Sequence, residues 1–250
     1  NGELMVLGEE GNVLGPATIP EEDYPIDIDW DGILVDDPDH PDDIIGRIRD
    51  VLEVLWGERA EEIERETCEI LDEKSLRHYF RKKGGTGFFM QHVRRYSKSR
   101  RKAPIYWLLQ SEKKSYGLWL YYHRLDPDIY HKALVNYVQP KLRLERDKLD
   151  RLRARHREAG TGGREAKSLE KEIDDQEGFV TELEDFEEKL RHVADLGLEP
   201  DLDDGVVLNI APLRELVPWK EAEKYWKHLM KGQYEWSTIS QQLRKRGVVK

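Results

Sequence analysis

The clearest pattern along the chain is the recurrence of apolar residues at helical spacing. It first appears after Pro41, where six aliphatic residues lie on one face of a predicted helix. Pro41 at an early helical position, with Asp42 and Asp43 in the first turn, suits the positive end of a helix. Two further helices are predicted over 58–71 and 74–83.

The pattern changes from helical to strand-like between Pro104 and Leu125. The runs 105–109 and 118–122 are rich in aromatic and aliphatic residues and flank a polar, lysine-rich turn. They predict a β-hairpin. A helix is then predicted from 126–127, where aspartate and proline provide a cap and a first-turn proline.

Residues 139–196 have the pattern of two long helices separated by the glycine-rich run 160–163. Apolar residues of the second helix recur over 169–193 at intervals of four and three. The first helix carries eight basic against three acidic residues over 141–157, whereas the second carries eleven acidic against two basic residues over 165–188. Opposite flanking charges select partner and orientation, so an antiparallel coiled-coil hairpin is predicted. The alternative use of the basic helix is contact with DNA.

These patterns predict a mainly α fold with a small β-hairpin, in which a helical domain carries a protruding antiparallel coiled-coil hairpin. The expected divisions are an acidic extended arm or linker (1–40), a basic and aromatic helical domain with the β-hairpin (41–138), the coiled-coil hairpin (139–197), and a C-terminal segment that packs back on the helical domain (198–250). Five aromatic residues of the last segment are predicted to be core: Trp219, Tyr225, Trp226, Tyr234 and Trp236.

The net charge of −10 is distributed unevenly. Residues 1–46 contain 14 carboxylates and no lysine or arginine, together with prolines and glycines that disfavour long regular elements. We interpret this part as mostly extended chain with short apolar anchors such as Ile26, Ile28, Trp30 and 33–35. A solvated linker and an arm that lies on a basic surface both fit the pattern.

Positive charge is concentrated in residues 74–110, which contain eleven basic residues and no carboxylate, interleaved with aromatic residues. Such a mixture can hold phosphates while aromatic rings stack or pack, and it predicts contact with DNA. The alternative is a basic surface that receives the acidic arm or another subunit. Segment 97–102, a predicted loop of hydroxyls and cations, is the best candidate for phosphate contact. The predicted DNA-binding residues are Arg81, Lys82, Lys83, Arg94, Arg95, Lys98, Arg100, Arg101 and Lys102.

The sequence contains no recognisable catalytic site. The single cysteine, Cys68, excludes a disulfide scaffold and a cysteine-based zinc module and fits a reducing cytoplasm. The glycine run 84–87 lacks the Gly-Lys-Ser/Thr of a phosphate loop, and the histidines lack metal-ligand spacing. No stretch approaches the roughly 20 apolar residues of a membrane span. We therefore predict no catalytic residue, metal site, cofactor site or membrane span. A free-standing enzyme remains the least supported alternative.

Several stretches resemble the C-terminal region of the PglX-type adenine-specific DNA methyltransferases of BREX phage-exclusion systems and of related large restriction-modification methylases. The most characteristic is Arg94-Arg95-Tyr96-Ser97-Lys98-Ser99-Arg100-Arg101-Lys102-Ala103-Pro104-Ile105-Tyr106-Trp107. The other stretches are 41–45, 54–57, 76–80, 121–125, 203–206 and 219–237. In order and spacing they cover most of the chain from about Tyr24 onward, and the missing initial methionine fits a fragment of a longer protein.

The resemblance implies an upstream domain that binds S-adenosylmethionine and transfers a methyl group to adenine N6 in double-stranded DNA. This chain has no Asn/Asp-Pro-Pro-Tyr/Phe motif and no Phe-x-Gly-x-Gly loop, so methyl transfer is not assigned to its residues. We expect a non-catalytic C-terminal part that helps to hold DNA beside the methyltransferase domain. The alternative is a protein-interaction module in which the hairpin 139–196 docks another defence-system subunit or a phage inhibitor.

Overall fold

The computed structural model describes residues 5–7, 13–16, 31–82, 84–98, 101–160 and 162–249. The helices are α1 (Ile44–Trp56), α2 (Ala60–Leu71), α3 (Leu76–Arg81), α4 (Phe88–Arg95), α5 (Ile129–Lys132), α6 (Gln139–Ala159), α7 (Arg164–Asp195), α8 (Val206–Ile210), α9 (Lys220–Met230) and α10 (Thr238–Lys245). The strands are β1 (Met5–Leu7), β2 (Val13–Pro16), β3 (Ile33–Val35), β4 (Ser97–Lys98), β5 (Arg101–Lys102), β6 (Tyr106–Gln110) and β7 (Gly117–Tyr121). The fold is mainly α, as predicted.

A three-stranded antiparallel sheet lies in the main core. Strands β6 and β7 form the predicted hairpin, in which Trp107 pairs with Leu120 and Leu109 with Leu118. Strand β3 pairs with the other edge of β7 and places Ile33 opposite Leu120. Side chains on both faces of β6 and β7 are buried, which explains why the sequence of each strand is a continuous apolar run. The two other strand pairs, β1 with β2 and β4 with β5, are short and antiparallel.

The predicted acidic arm ends inside the fold, because its last apolar run is β3. Ile33 and Val35 are almost completely buried. Asp31 fixes the entry to the strand: its carboxylate accepts hydrogen bonds from the Ile33 N–H and from the Tyr137 hydroxyl, both at 2.9 Å. Three further anchors predicted for the arm lie outside the described residues: Ile26, Ile28 and Trp30.

The first long helix starts later than predicted. Asp43 has extended backbone angles (φ −61°, ψ 124°), and its carboxylate accepts a hydrogen bond from the Gly46 N–H at 2.9 Å. Asp43 is therefore the N-cap of α1, which begins at Ile44, and the predicted start near Pro41 is wrong. A capping carboxylate supplies an acceptor to an N–H that has no partner within the helix.

The helix predicted from 126–127 also starts later, at Ile129 in α5. The Asp126 carboxylate accepts a hydrogen bond from the Asp128 N–H at 2.9 Å, so it closes a turn before the helix instead of capping it. Between α5 and α6 the backbone forms a π-helical segment, Ala133–Val138, which the sequence pattern does not distinguish from an α-helix.

Helices α6 and α7 form the predicted antiparallel helical hairpin. An ion pair of 2.7 Å joins Arg146 to Glu184 across it. The polar residue Gln176, which interrupts the apolar register, is buried and donates a hydrogen bond to the Glu145 carboxylate at 2.7 Å. This polar position is therefore satisfied inside the hairpin.

The base of the hairpin belongs to the main hydrophobic core. Leu183, Phe186 and Leu190 have no exposed surface and lie in the same apolar cluster as the sheet. The Glu182 carboxylate accepts a hydrogen bond from the Lys113 N–H at 2.9 Å, in the turn between β6 and β7. Leu169, nearer the tip of the hairpin, is buried outside that cluster.

The last part of the chain divides its apolar residues between the main core and a second cluster. Trp219 packs in the main core, and Trp226 packs in the second cluster together with residues of α8, α9 and α10. Trp236 is 66% exposed, so its predicted role as a core residue is wrong. It lies in the loop between α9 and α10 rather than on the apolar face of a helix. Within the described part of the chain, no helix is both long and apolar enough to cross a bilayer.

Candidate nucleic-acid interface

The basic residues of α3 face the carboxylates that precede α1. The Arg77 guanidinium donates to the Asp43 carboxylate at 2.7 Å and also pairs with Asp36. Arg81 donates to the Asp36 carboxylate at 3.1 Å. Both aspartates are buried, so these two arginines neutralise carboxylates of the same chain.

A second part of this network joins the same segment to the helical hairpin. The Lys141 ammonium is buried and lies 2.8 Å from Asp37 and 2.9 Å from Glu145. Burial alone would lower the pKa of Lys141, but the hydrogen bonds to the two carboxylates outweigh it and raise the pKa. The end of the acidic arm thus holds α3 and α6 together.

Two further predicted DNA-binding lysines also have carboxylate partners. Lys82 forms an ion pair with Glu73, and this pairing, followed by that with His78, lowers the pKa of the Glu73 carboxyl. Lys102 at the end of β5 forms an ion pair with Glu221 in the first turn of α9. Of the predicted site, Arg81, Lys82 and Lys102 are therefore engaged within the chain.

Helix α4, which the sequence pattern did not indicate, presents the remaining cations. Arg94 and Arg95 are exposed in its last turn, and Tyr96, which follows them, is 42% exposed. Arg94 donates a hydrogen bond to the Gly85 carbonyl. Among the described residues, neither arginine has a carboxylate within ion-pair distance. This turn is therefore a site of uncompensated positive charge.

His92 fixes α4 against the sheet. Its Nε2 atom accepts hydrogen bonds from the Ile105 N–H at 3.1 Å and the Tyr106 N–H at 3.0 Å, so the ring is neutral with its proton on Nδ1. Burial lowers the pKa of His92 to about 4. The ring also lies 4.6 Å, between centroids, from that of Tyr96. The buried, neutral His92 therefore holds the turn 94–96 in place against the sheet.

The segment 97–102, predicted as a loop, contains the short strands β4 and β5, in which Ser97 pairs with Lys102 and Lys98 with Arg101. The strands follow α4 directly and lead to β6. Lys83 and Arg100 lie outside the described residues, and for Lys98 and Arg101 only the backbone is described. The backbone places this segment beside the exposed turn of α4.

The glycine-rich turn 84–87 is closely packed at two of its glycines. A Cβ atom on Gly87 would lie 2.1 Å from the Lys82 carbonyl oxygen and one on Gly85 would lie 2.6 Å from the Arg94 guanidinium, whereas Gly84 has open space beside it. No group of histidine, cysteine, aspartate and glutamate side chains in the described ranges could hold a metal ion.

Sequence comparison relates the chain to two curated proteins. It is 31% identical over 232 residues, 86% of the chain, to the adenine-specific methyltransferase BrxX of Escherichia coli O9:H4 (strain HS). It is 29% identical over 195 residues, 72% of the chain, to the adenine-specific methyltransferase PglX of Lacticaseibacillus casei (strain Zhang). The chain is homologous to these methyltransferases. The matches span 18% and 15% of the two relatives, and no family model matches the chain.

The resemblance to PglX-type methyltransferases is thus confirmed, and the structure shows what several of its stretches do. Stretch 41–45 meets stretch 76–80 through the Asp43–Arg77 ion pair. Asp204 accepts hydrogen bonds from the Thr238 and Ile239 N–H groups, which ties stretch 203–206 to the start of α10. These parts of the resemblance hold the fold together.

Two parts of the resembling stretches are left at the surface instead. Arg94 and Arg95 belong to the most characteristic stretch, and Trp236 belongs to the last one. Neither arginine nor this tryptophan is buried in a way that explains its presence by packing. Exposed charged and aromatic side chains of this kind are candidates for binding.

Proposed function

We propose that this chain is a non-catalytic C-terminal part of an adenine-specific DNA methyltransferase of a phage-defence or restriction-modification system. In this proposal it holds double-stranded DNA next to an upstream methyltransferase domain, which binds S-adenosylmethionine. Homology to BrxX and PglX supports the methyltransferase context. The sequence has no Asn/Asp-Pro-Pro-Tyr/Phe motif, so the proposal places methyl transfer in the upstream domain.

The observation that carries the DNA-holding role is the uncompensated pair Arg94 and Arg95 on α4. In a chain with 51 carboxylates, the other cations of the predicted site whose side chains the structure describes, Arg81, Lys82 and Lys102, are neutralised by Asp36, Glu73 and Glu221. Neither guanidinium group is neutralised by a carboxylate of the described residues, although Arg94 donates to the Gly85 carbonyl, so both can contact the phosphates of a polyanion, which gives affinity without reading sequence.

The test is equilibrium binding of a fluorescent DNA duplex to the 250-residue chain at several salt concentrations. The double variant Arg94→Gln/Arg95→Gln should bind more weakly on every duplex sequence. Its slope of log affinity against log salt should be smaller by roughly two, since each phosphate contact contributes about 0.9. Thermal unfolding should be unchanged, because both side chains are exposed.

The matched control is Arg151→Gln/Arg155→Gln, which removes two exposed arginines from α6. Among the described residues these arginines also lack a carboxylate within ion-pair distance. The control should keep the affinity and the salt slope of the unaltered chain. If the control loses affinity and the α4 variant does not, the DNA site lies on the hairpin and the proposal is wrong.

A further inference from the structure

The loop between α9 and α10 carries a tryptophan that packing does not explain. Trp236 is 66% exposed, whereas Trp107 and Trp119 are buried in the main core. Water contact with so much indole surface is unfavourable, at roughly 25 cal/mol per Å² of apolar area by transfer data. A partner that covers the ring would recover this free energy.

A row of aromatic rings backs the exposed indole. The ring of Tyr234 lies 6.4 Å from that of Trp236 in an edge-on arrangement, and it stacks on His228 at 6.1 Å. The ring centroid of Tyr225, on α9, lies 5.8 Å from that of Tyr234. Such pairs restrict the motion of the rings. The exposed face of Trp236 is therefore presented by a supported ring, not by a free side chain.

The loop backbone is held in an unusual conformation. Tyr234 has φ 61°, in the left-handed region that non-glycine residues rarely adopt. Strained backbone persists where the surrounding structure fixes it, and it is frequent at binding sites. Here the start of α10, directly after the loop, is fixed by two carboxylates. Asp201 accepts a hydrogen bond from the Thr238 hydroxyl at 2.6 Å, and Asp204 accepts one from the Thr238 N–H at 2.9 Å.

The segment that contains the loop has an excess of positive charge, although Glu235, which pairs with Arg244, lies within the loop and Asp201 and Asp204 lie against its end. Residues 220–249 contain seven lysines and arginines and three glutamates, within a chain whose net charge is −10. Lys231, at the start of the loop, is exposed and has no carboxylate within ion-pair distance among the described residues. Lys224 lies 5.6 Å from the ring centroid of Tyr225. Positive charge and aromatic faces thus occur together a second time, on a different element from α4.

We propose that Trp236 stacks on an unpaired nucleobase of DNA, while Lys231 contacts the adjoining phosphate. Every base has a π-face, and stacking on an aromatic side chain needs that face to be free of its neighbours in the duplex. An unpaired base meets this condition, whereas the bases of an intact duplex do not. This inference rests on the proposed DNA-holding function, and it adds a second contact of a different chemical kind.

The test compares two duplexes of equal length, one fully paired and one with a single extrahelical base. The unaltered chain should bind the duplex with the extrahelical base roughly tenfold more tightly, which is about 1.4 kcal/mol. Trp236→Ala should abolish this preference and keep both the affinity for the paired duplex and the unfolding temperature. Trp236→Phe, which retains an aromatic face, should keep part of the preference.

The outcomes separate this inference from the proposed function. If affinity for the paired duplex depends on Arg94 and Arg95 but no preference for the extrahelical base is found, only the stacking inference is wrong. If the preference depends on Trp236 while the α4 variant binds normally, the stacking inference holds and the proposed role of α4 is wrong. A preference that persists in Trp236→Ala, or the absence of all DNA binding, overturns the stacking inference. The exposed ring would then be assigned to contact with a protein partner.

Discussion

At the scale of the residue, Asp43 combines three roles in one carboxylate. It caps α1 through the Gly46 N–H, accepts a hydrogen bond from the Asp37 N–H at 3.1 Å, and pairs with Arg77. The side chain is buried, so loss of its charge leaves a partly buried guanidinium without one of its two partners. Breaking a buried pair by removing one member is strongly destabilising.

Asp43→Asn should therefore lower the free energy of unfolding by about 3 kcal/mol, measured by urea denaturation. The matched control is Asp50→Asn, because the Asp50 side chain is 47% exposed and lies 3.7 Å from Arg47. This control should change the free energy by less than about 0.5 kcal/mol. Equal effects of the two substitutions would show that the buried ion pair does not stabilise the fold.

His92 makes the stability depend on pH. Its pKa is about 4 in the folded chain, below the ordinary value of 6.5, so the unfolded chain binds the extra proton first as the pH falls. The contribution is fully present above pH 6.5 and is lost progressively between 6.5 and about 4, with a total of roughly 3 kcal/mol.

His92→Gln keeps a hydrogen-bond acceptor but cannot titrate. Its unfolding free energy should fall less steeply over that pH range than that of the unaltered chain. The comparison needs urea denaturation at several pH values for both proteins, since carboxylates also titrate there. Parallel pH profiles would contradict a buried neutral histidine.

At the scale of the element, the helical hairpin is stabilised differently at its base and toward its tip. Leu183 on α7 is fully buried in the main core, whereas Leu169 is buried outside it. Replacing either leucine by alanine removes the same atoms, but from two different environments. Comparing the two variants therefore distinguishes the stability of the whole fold from that of the distal end of the hairpin.

Leu183→Ala should destabilise the whole chain by about 3 kcal/mol, in the range seen for buried leucines. Leu169→Ala should mainly increase amide hydrogen exchange in the distal parts of α6 and α7 and leave exchange in β6 and β7 unchanged. Hydrogen exchange of both variants checks this. Faster exchange in the sheet of Leu169→Ala would mean that the hairpin unfolds with the core as one unit.

Elements with a distinct apolar pattern could be predicted from the sequence, and elements that depend on distant contacts could not. The hairpin helices and the strands β6 and β7 have enough apolar positions to define their period. Strand β3 has three residues and lies in an acidic, proline-rich part, so only its partner β7 defines it. Helix α4 has eight residues directly after a glycine-rich turn, and its packing depends on His92 and the distant Ile105.

At the scale of the whole molecule, the sequence identifies the cations but not their partners. Arg81 and Asp36 lie 45 positions apart, and no local pattern indicates that they meet. The structure therefore assigns some of the predicted DNA-binding residues to internal ion pairs and leaves Arg94 and Arg95 at the surface. The interpretation as a basic surface that receives the acidic arm holds for Arg81, which pairs with Asp36, whereas contact with DNA remains our proposal for Arg94 and Arg95.

The most direct test of this division is the hydrogen-exchange footprint of duplex DNA on the chain. We expect slower exchange in residues 94–106, from the exposed turn of α4 to the start of β6, and no change in α2, whose first turn carries Glu61 and Glu62 and would repel phosphates. Slower exchange confined to the hairpin helices, or none at saturating DNA in low salt, would contradict the claim that α4 holds DNA.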